Sequence, residues 1–463
     1  MRVSYVSAIC ATAVLAGLAG CGRGLSSSSI PANGAAKRLS GTSSPIQHVV
    51  IMVQENRTFN NLFATYPGAD GTTTATVAAE PQCSPPINAG SLPLTKTSLV
   101  LPYDLNHKYA GFKTGFDKGR MDGFDKIKKQ TGRPECYAPY VYTDPSQIQP
   151  YWSMAQQYTL AEHMFTTHGS SSFAAHQDLI RGGTQISKQY SLIDDPGSTV
   201  WGCDAKPHAR TSLITASDKV LVGKGPFPCS NAFPDQSYGY NTLRDLLDAK
   251  GLSWRYYVPK IGVNYGNLLD AFDVIAPVRY GSEWGTNVEW PQTAILSDIS
   301  AGSLAAVTWV IPSEPDSDHP DEKVDHGPAW VASVVNAIGE SPFWDSTAIV
   351  VVWDDWGGLY DNFPPPQYPF GELGFRVPAL IISPYAKAGH ISTTTYEFGS
   401  ILRYIEENWN LGSLGTSDAR ANSLIDSFDY NQPPIQFQPI TSELRKSYFL
   451  HEKPSLHPPD DDF

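Results

Sequence analysis

Residues 46–56 read IQHVVIMVQEN, and residues 347–355 read TAIVVVWDD. In each stretch an apolar, β-branched run stops and two side chains that carry oxygen follow almost at once. Those four residues are Glu55, Asn56, Asp354 and Asp355. A continuous apolar run of this length is typical of a strand buried on both faces. The sequence therefore predicts two central strands of an α/β fold, each followed by a polar pair.

The two polar pairs predict a metal site at one edge of the sheet. Adjacent residues within a strand point to opposite faces, so such a pair converges only beyond the strand's end. Ligands collect outside the carboxyl ends of parallel strands, where neighbouring strands would bring both pairs together. Three carboxylates and an amide oxygen suit Mg²⁺, Ca²⁺ or Mn²⁺ better than a thiolate-seeking metal. The alternative is that Glu55 caps a helix and Asp354 pairs with an arginine.

Strand-like and helix-like patterns alternate along the rest of the chain. The predicted helices are 151–162, 174–181, 240–250, 328–338 and 396–408, and the further predicted strands are 253–258, 305–311 and 378–383. This alternation indicates βαβ units, and so a largely parallel central sheet with helices on both faces. Long loops rich in Pro, Gly and Tyr, notably 67–102 and 191–236, are expected to be ordered lids. No linker is visible inside 45–430, which is predicted as one domain followed by a C-terminal tail, 431–463.

The charge balance excludes one class of partner. The chain of 463 residues has a net charge of −13, and no run of Lys and Arg offsets it. Sequence-independent nucleic-acid binding needs such a basic surface, so no nucleic-acid partner is expected.

The first residues predict export. Arg2 precedes an apolar segment, 8–19, that is too short to span a bilayer comfortably, and small residues then lead to Cys21. This pattern resembles the lipobox of bacterial lipoproteins, in which the cysteine becomes the lipidated first residue. We expect a signal peptide at 1–20, a flexible tether at 21–44 and a cell-envelope lipoprotein, periplasmic or on the outer surface. A plain secretory signal, giving a secreted protein, is the alternative.

Four cysteines remain after export, an even number in an oxidising compartment. They are Cys83, Cys136, Cys203 and Cys229. Three pairings are open, and Cys83–Cys136 with Cys203–Cys229 is preferred because each pair encloses a Pro/Gly-rich loop region. A zinc site is disfavoured because no C-x-x-C spacing occurs.

The stretch 166–183, TTHGSSSFAAHQDLIRGG, predicts a serine at the start of a helix. A hydroxyl there can cap the helix, and exposed N–H groups can hold an anion. Beside a metal such a serine can ionise and attack phosphorus. Ser172 and His176 are four residues apart, which places them on one helical face. The alternative is a serine cap without chemistry.

Histidines occur in an acidic segment, 313–326 (SEPDSDHPDEKVDH), directly after a predicted strand. A histidine near a carboxylate tends to stay protonated, which suits it to binding phosphate or protonating a leaving oxygen. His319 and His326 are the candidates here, and His107 in DLNHKY is a further one; a surface or capping role is the alternative for each. No GxSxG, GxxxxGK[ST] or HExxH pattern appears, which disfavours serine esterases, P-loop proteins and metalloproteases.

These motifs, in this order, resemble the bacterial phosphoesterase family that includes phospholipases C and related acid phosphatases. The resemblance runs from about residue 46 to 409 and is carried by HVVIMVQENRTFNNLFATYPGADG, DLNHKY, GSSSFAAHQ, SEPDSDHP, VVVWDDWGGLYDNFPPP and GFRVPALIISPYAKAGHIS. It implies an alkaline-phosphatase-like α/β fold with long loop insertions, a bound metal and a covalent phosphoenzyme intermediate. Segment 45–430 would then be the catalytic domain.

The resemblance also implies roles for individual residues. Glu55, Asn56, Asp354 and Asp355 would hold one divalent metal ion, which could be Ca²⁺, Mg²⁺, Mn²⁺ or Zn²⁺. Ser172 stands where the family has its nucleophile, with Ser170 and Ser171 as neighbours that could be confused with it. His107 and His319 match histidines that contact the phosphate or the leaving group, whereas His326 has no clear counterpart.

Three positions depart from the family pattern. Asn60 stands where Asp is common, Asn362 follows YD where His is usual, and Thr393 follows GHIS where His is common. None of them is a proposed ligand or the nucleophile, but they leave substrate preference and pH optimum open.

The expected function is phosphoester hydrolysis of the phospholipase C type, through Ser172 and a phosphoserine. The substrate would be a phosphoester, with phospholipid as one candidate, and Cys21 would anchor the enzyme to the membrane. An acid phosphatase that acts on soluble phosphomonoesters is the first alternative. The second is a catalytically inactive surface protein that keeps the metal, with the acidic stretch 314–322 as a calcium-stabilised recognition loop.

Overall fold

The two apolar runs are neighbouring strands in the middle of a large sheet. The computed structural model describes residues 44–197, 200–233, 239–259, 269–321 and 323–454. Its strands are β1 (His48–Gln54), β2 (Thr74–Val77), β3 (Gly90–Pro93), β4 (Thr95–Thr97), β5 (Val141–Thr143), β6 (Thr159–Phe165), β7 (Tyr190–Ile193), β8 (Ser212–Thr215), β9 (Val220–Leu221), β10 (Trp254–Tyr257), β11 (Val288–Glu289), β12 (Val307–Val310), β13 (Thr347–Trp353), β14 (Arg376–Ile382), β15 (His390–Ser392) and β16 (Tyr396–Glu397).

Helices connect most of these strands, together with short 3₁₀ turns. The α-helices in the described residues are α1 (Phe59–Phe63), α2 (Tyr109–Phe116), α3 (Gln149–Gln157), α4 (Ser172–Arg181), α5 (Leu243–Lys250), α6 (Ala276–Arg279), α7 (Ala294–Ser300), α8 (Gly327–Gly339), α9 (Phe398–Trp409) and α10 (Lys446–Phe449). None of them combines the length and the apolar character that crossing a bilayer requires.

The sheet confirms the predicted α/β class. In the described part of the chain it has nine strands in the order β11-β10-β12-β1-β13-β14-β6-β15, with β16 also paired to β6. Neighbours are parallel except at β14, which runs antiparallel to both β13 and β6. Every residue of β13 is buried, so both faces of the sheet are covered.

The register of β1 and β13 decides where their polar ends lie. The pairing runs from His48 opposite Thr347 to Gln54 opposite Trp353. The ladder continues one step further, because Asp354 N donates to the Gln54 carbonyl at 2.9 Å. Both strands therefore end at the same level, and the residues after them leave the sheet side by side.

One predicted element is wrong. The helix expected over 151–162 is the shorter α3, which is followed at once by β6. Residues 159–162, the end of the expected helix, belong instead to β6, which lies between β14 and β15 in the sheet. Tertiary pairing overrides local spacing in this segment. The other predicted strands and helices are confirmed, with ends shifted by a few residues.

β14 contains a proline in the middle of the sheet. The register with β6 shifts between Val377 and Ala379, on either side of Pro378. Proline has no N–H for the ladder, so a bulge at this position avoids a lost hydrogen bond.

The two long loops are ordered in their described parts. The first contains the β2–β3 hairpin and β4, which pairs with β5, and the Cys83–Cys136 disulfide joins it to the segment before β5. The second contains a small sheet of β7, β8 and β9, and the Cys203–Cys229 disulfide. The preferred cysteine pairing is confirmed.

Much of the predicted C-terminal tail is packed. Residues 431–454 lie along α8: Asn336 exchanges two hydrogen bonds of 2.8 Å with the backbone of Ile440, and the ring of Phe449 lies 5.3 Å from that of Trp330. The described residues, 44–454 with their gaps, belong to one compact unit. The proposed signal peptide, Cys21 and the tether up to residue 43 lie outside the described residues.

A buried ion pair holds the loop that follows β13. Arg376 and Asp361 are both fully buried, and Arg376 Nε donates to Asp361 Oδ1 at 2.9 Å. Arg376 also donates to Asn362 Oδ1, and Asp361 Oδ2 accepts from the backbone N–H of Asn60. Two of the three positions that depart from the family pattern, Asn60 and Asn362, therefore surround this pair.

We expect Asp361→Ala to lower the free energy of unfolding by about 3–5 kcal/mol, since it leaves the Arg376 guanidinium buried without its carboxylate. Urea denaturation followed by fluorescence measures this loss. The exposed Asp345→Ala serves as the matched control and should cost less than about 0.5 kcal/mol. A loss below about 1 kcal/mol for Asp361→Ala would show that the pair does not support the loop.

Candidate active site

The four polar residues after β1 and β13 converge. Asp354 Oδ1 accepts hydrogen bonds from the backbone N–H of Asn56 at 3.0 Å and of Asp355 at 2.6 Å. Asn56 has a φ of 57°, a left-handed conformation that asparagine tolerates better than most residues, so the chain turns directly after Glu55. One carboxylate thus ties both strand ends together.

Two glycines after Asp355 allow the neighbouring backbone to approach. Gly357 has a φ of 56°, and a Cβ there would lie 2.3 Å from the Asn56 carbonyl oxygen. Gly358 has a φ of 71°, and a Cβ there would lie 2.3 Å from the Cβ of Leu105. The WGG sequence therefore brings the segment of His107 against the ends of β1 and β13.

Ser172 and His107 both face Asp355. Ser172 is the first residue of α4, and its hydroxyl donates to Asp355 Oδ2 at 3.3 Å. His107 Nε2 lies 3.7 Å from the same oxygen and 3.5 Å from Asn56 Nδ2. The other ring nitrogen, Nδ1, lies 2.7 Å from the Leu105 carbonyl, so it carries the proton and Nε2 is directed to the site.

The serines before Ser172 are engaged elsewhere. The Ser170 hydroxyl donates to Asp194 Oδ1 at 3.3 Å and accepts from the Asp194 backbone N–H at 2.8 Å. The Ser171 hydroxyl donates to Asp195 Oδ2 at 2.8 Å. Of the three consecutive serines, Ser172 is the one directed to Asp355.

His176 joins the group, and the sequence prediction did not include it among the ligands. Its Nε2 lies 3.5 Å from Glu55 Oε1 and 3.7 Å from Asp354 Oδ2. The three residues each offer one ligand atom within 4.8 Å of the others. The signal was present in the sequence, since Ser172 and His176 share one face of α4 and the serine was already a candidate.

The site concentrates negative charge away from water. Glu55, Asp354 and Asp355 are each 0% exposed. Burial, and next the charge of Glu55, raise the pKa of Asp354 to about 8. In the described residues, Asn56 Oδ1 and Asp354 Oδ2 accept no hydrogen bond. Buried oxygens of this kind, with one imidazole, fit a divalent cation, which would offset the repulsion and use the open lone pairs.

His319 lies in the loop packed against this site, and its described contacts are within its own loop. It is buried, and its Nδ1 lies 2.8 Å from Asp321 Oδ1. Arg57 holds the loop, because its Nε donates to the Asp318 carbonyl at 2.7 Å and its Nη2 to the Leu99 carbonyl at 2.5 Å. Arg57 directly follows Asn56, so its hydrogen bond to Asp318 holds the loop of His319 near the end of β1.

The acidic stretch 314–322 is largely internal in its described part. Asp318 Oδ2 accepts hydrogen bonds from the Tyr151 hydroxyl at 2.8 Å and from Trp353 Nε1 at 2.9 Å. Burial raises the pKa of Asp318 to about 6, although Arg57 opposes this rise. These contacts give the loop a packing role and do not fit a surface recognition loop.

Comparison with known proteins identifies the family of the chain. Residues 46–412 match the Phosphoesterase family, and the chain belongs to that family. It is 24% identical to phospholipase C B of Mycobacterium tuberculosis, over 85% of this chain and 80% of that protein. It is also 24% identical to the non-hemolytic phospholipase C of Burkholderia pseudomallei, over 82% of this chain and 57% of that protein. The chain is therefore a phosphoester-hydrolysing enzyme.

Solved structures give a weaker likeness. A protein in the alkaline phosphatase superfamily from Vibrio parahaemolyticus is 11% identical, with a TM-score of 0.38 over 84% of this chain and 74% of that one. A TM-score this low does not support a fold assignment. The α/β fold is assigned from the order and direction of the strands in the sheet.

We expect His176→Ala to raise, by at least ~10-fold, the metal concentration that restores half-maximal hydrolysis to chelator-treated protein, because a nitrogen donor beside Glu55 and Asp354 is lost. Mn²⁺ and Ca²⁺ are titrated separately into the full chain. His208→Ala removes an exposed histidine and should leave the titration unchanged. An unchanged midpoint for His176→Ala would place this histidine outside the ligand set.

Proposed function

We propose that the chain is a metal-dependent phosphoester hydrolase of the phospholipase C type that uses Ser172 as nucleophile. The observation that carries the proposal is the Ser172 hydroxyl, 3.3 Å from Asp355 Oδ2 at the start of α4. It faces a buried group of carboxylates that fits a divalent cation. Nucleophile, candidate ligands and His107 come from four distant parts of the chain, yet they share one set of contacts.

Glu55, Asn56, Asp354 and Asp355 would hold one divalent ion, Ca²⁺, Mg²⁺, Mn²⁺ or Zn²⁺, with His176 as a further donor. When bound, such an ion stabilises a serine alkoxide and offsets charge on the phosphate oxygens. An imidazole among the donors favours Mn²⁺ or Zn²⁺ over Ca²⁺ and Mg²⁺.

Asp195 refines where the substrate can sit. It caps α4, since its Oδ1 accepts from the Phe173 backbone N–H at 3.2 Å and its Oδ2 from the Ser171 hydroxyl. Part of the N-terminal end of the helix is therefore already occupied by a carboxylate. The substrate phosphate would approach Ser172 from the side of Asp355 and Asn56, where the ligand residues lie.

The reaction has two displacement steps. Ser172 Oγ gives its proton to Asp355 Oδ2, its hydrogen-bond acceptor, and attacks phosphorus in line, and the bond from phosphorus to the alcohol oxygen breaks. The departing alcohol takes a proton from a protonated histidine, His107 or His319; in His107 this proton would be on Nε2, which lies 3.7 Å from Asp355 Oδ2. Water then attacks the phosphoserine and returns one proton to that histidine, and Ser172 Oγ recovers its proton from Asp355 as the second phosphate product leaves.

The phospholipase C activity is supported by the relatives, several of which carry that name and match most of this chain. An acid phosphatase for soluble monoesters would use the same core. The inactive alternative is disfavoured, because Ser172 and His107 are both directed to Asp355 and the acidic loop is packed inside.

Export and anchoring remain part of the proposal. Two disulfides suit an oxidising compartment outside the cytoplasm. A lipid at Cys21 would hold the enzyme at a membrane of the cell envelope and close to phospholipid.

We expect Ser172→Ala to lower kcat by at least ~10³-fold, because loss of a nucleophile normally costs several orders of magnitude. Ser171→Ala is the matched control: its hydroxyl bonds Asp195, and activity should stay within about tenfold of wild type. Initial rates with p-nitrophenyl phosphate and p-nitrophenyl phosphorylcholine give the comparison. Activity of Ser172→Ala within about tenfold of wild type would show that Ser172 is not the nucleophile.

The two nitrophenyl substrates also separate the candidate activities. A phospholipase C cleaves the phosphorylcholine diester, so we expect the wild-type enzyme to release nitrophenol from it and diacylglycerol from phosphatidylcholine vesicles. Release of nitrophenol from the monoester alone would favour the acid phosphatase. Bound metal without turnover of either substrate would favour the inactive surface protein.

A further inference from the structure

We propose that Asp316, His326 and Glu452 form a second divalent-cation site, structural in function and separate from the active site. One ligand atom from each residue lies within 4.8 Å of the other two. Asp316 and His326 belong to the acidic segment 313–326, and Glu452 belongs to the C-terminal segment 431–454. The site would therefore join two parts of the chain that are about 130 residues apart in sequence.

Asp316 supplies the strongest observation. It is 0% exposed, and its Oδ2 accepts from the Ser313 hydroxyl at 2.8 Å and from Gln292 Nε2 at 2.7 Å. In the part of the chain that the structure describes, its Oδ1 has no hydrogen-bond partner. A carboxylate that is held on one oxygen and open on the other is oriented as a ligand is.

The other two side chains lie close to the Asp316 carboxylate. His326 Nδ1 lies 3.9 Å from Glu452 Oε1, too far for a hydrogen bond. Within the described residues, His326 Nδ1 and Glu452 Oε2 also have no hydrogen-bond partner. Three polar atoms that converge without donors between them need either a cation or extra protons.

A shared proton explains the cluster less completely. Burial raises the pKa of Asp316 to about 6, and burial with the nearby charge of Asp316 raises the pKa of Glu452 to about 8. A proton between these carboxylates would relieve their repulsion but would leave His326 Nδ1 unused.

The donor set indicates the kind of ion. One imidazole nitrogen and two carboxylates suit Zn²⁺ better than Mg²⁺ or Ca²⁺, which prefer oxygen alone. The site has no serine or other nucleophile among its ligand residues, in contrast to the active site.

The position of the site suggests what the ion stabilises. His326 precedes α8, and its ring meets that of Tyr448 edge-on at 5.3 Å. Gln54, the residue before Glu55, donates from Nε2 to the Asp316 carbonyl at 3.1 Å. An ion here would fasten α10 to the loop that carries His319 and to the end of β1.

Metal content of the full chain tests the proposal. The background is Asp354→Asn, which weakens the active-site contribution and keeps it the same in every protein compared, and the added variants are Glu452→Gln and His326→Asn. After loading with ZnCl₂ and gel filtration, we expect each added variant to carry about one zinc equivalent less than the background protein. The controls Glu443→Gln and His451→Asn change exposed residues of the same segment and should keep the full content.

Proteolysis of the same Asp354→Asn background, without either added variant, gives a second measurement. Cleavage by trypsin after Arg445 should be slower with ZnCl₂ than with a chelator, because the ion would hold α10 in place. Equal zinc content in the background, Glu452→Gln and His326→Asn, or equal cleavage with and without zinc, would overturn the proposal and leave the shared proton. Either result is independent of whether Ser172 is the nucleophile.

Discussion

The in-register parallel pairing of β1 with β13 is the constraint on which the site depends. It places Gln54 opposite Trp353, and the hydrogen bond from Asp354 N to the Gln54 carbonyl extends the ladder to the first carboxylate. A slip of one residue would displace the Asp354 side chain by about 3.3 Å and reverse its face. Because both strands are buried on both faces, packing in the core fixes their register. The register in turn fixes the positions of the candidate ligand residues.

Folding must overcome the charge that this arrangement concentrates. Three fully buried carboxylates lie together, and burial, followed by the charge of Glu55, raises the pKa of Asp354. The structure meets part of the cost with directed donors, such as the N–H groups of Asn56 and Gly357. The remainder is what a divalent cation would offset, so metal binding and stability of this edge of the sheet are linked.

Much of the fold follows from the sequence because its central strands are long and uniformly apolar. The strand 347–353 was predicted with its observed ends, and the helix after Ser172 within two residues. The helix predicted over 151–162 is wrong at its end, because residues 159–161 pair with β14 and β15, and the local sequence does not show this pairing. His176 was passed over because a ligand role depends on Glu55 and Asp354 lying opposite it. The described contacts of His319 lie within its own loop, so its proposed contact with the substrate stays a prediction from the sequence.

Contacts from the loops that follow two strands decide which of the three serines is directed to Asp355. Ser170, Ser171 and Ser172 are chemically identical, so residue type alone cannot rank them. Asp194 and Asp195, directly after β7, engage the first two hydroxyls, and Asp195 also caps α4. Asp355, directly after β13, accepts from the third. The ends of β7 and β13 therefore determine which hydroxyl faces the buried carboxylates. The residues after β7 bind the hydroxyls of Ser170 and Ser171, and the residue after β13 accepts from Ser172.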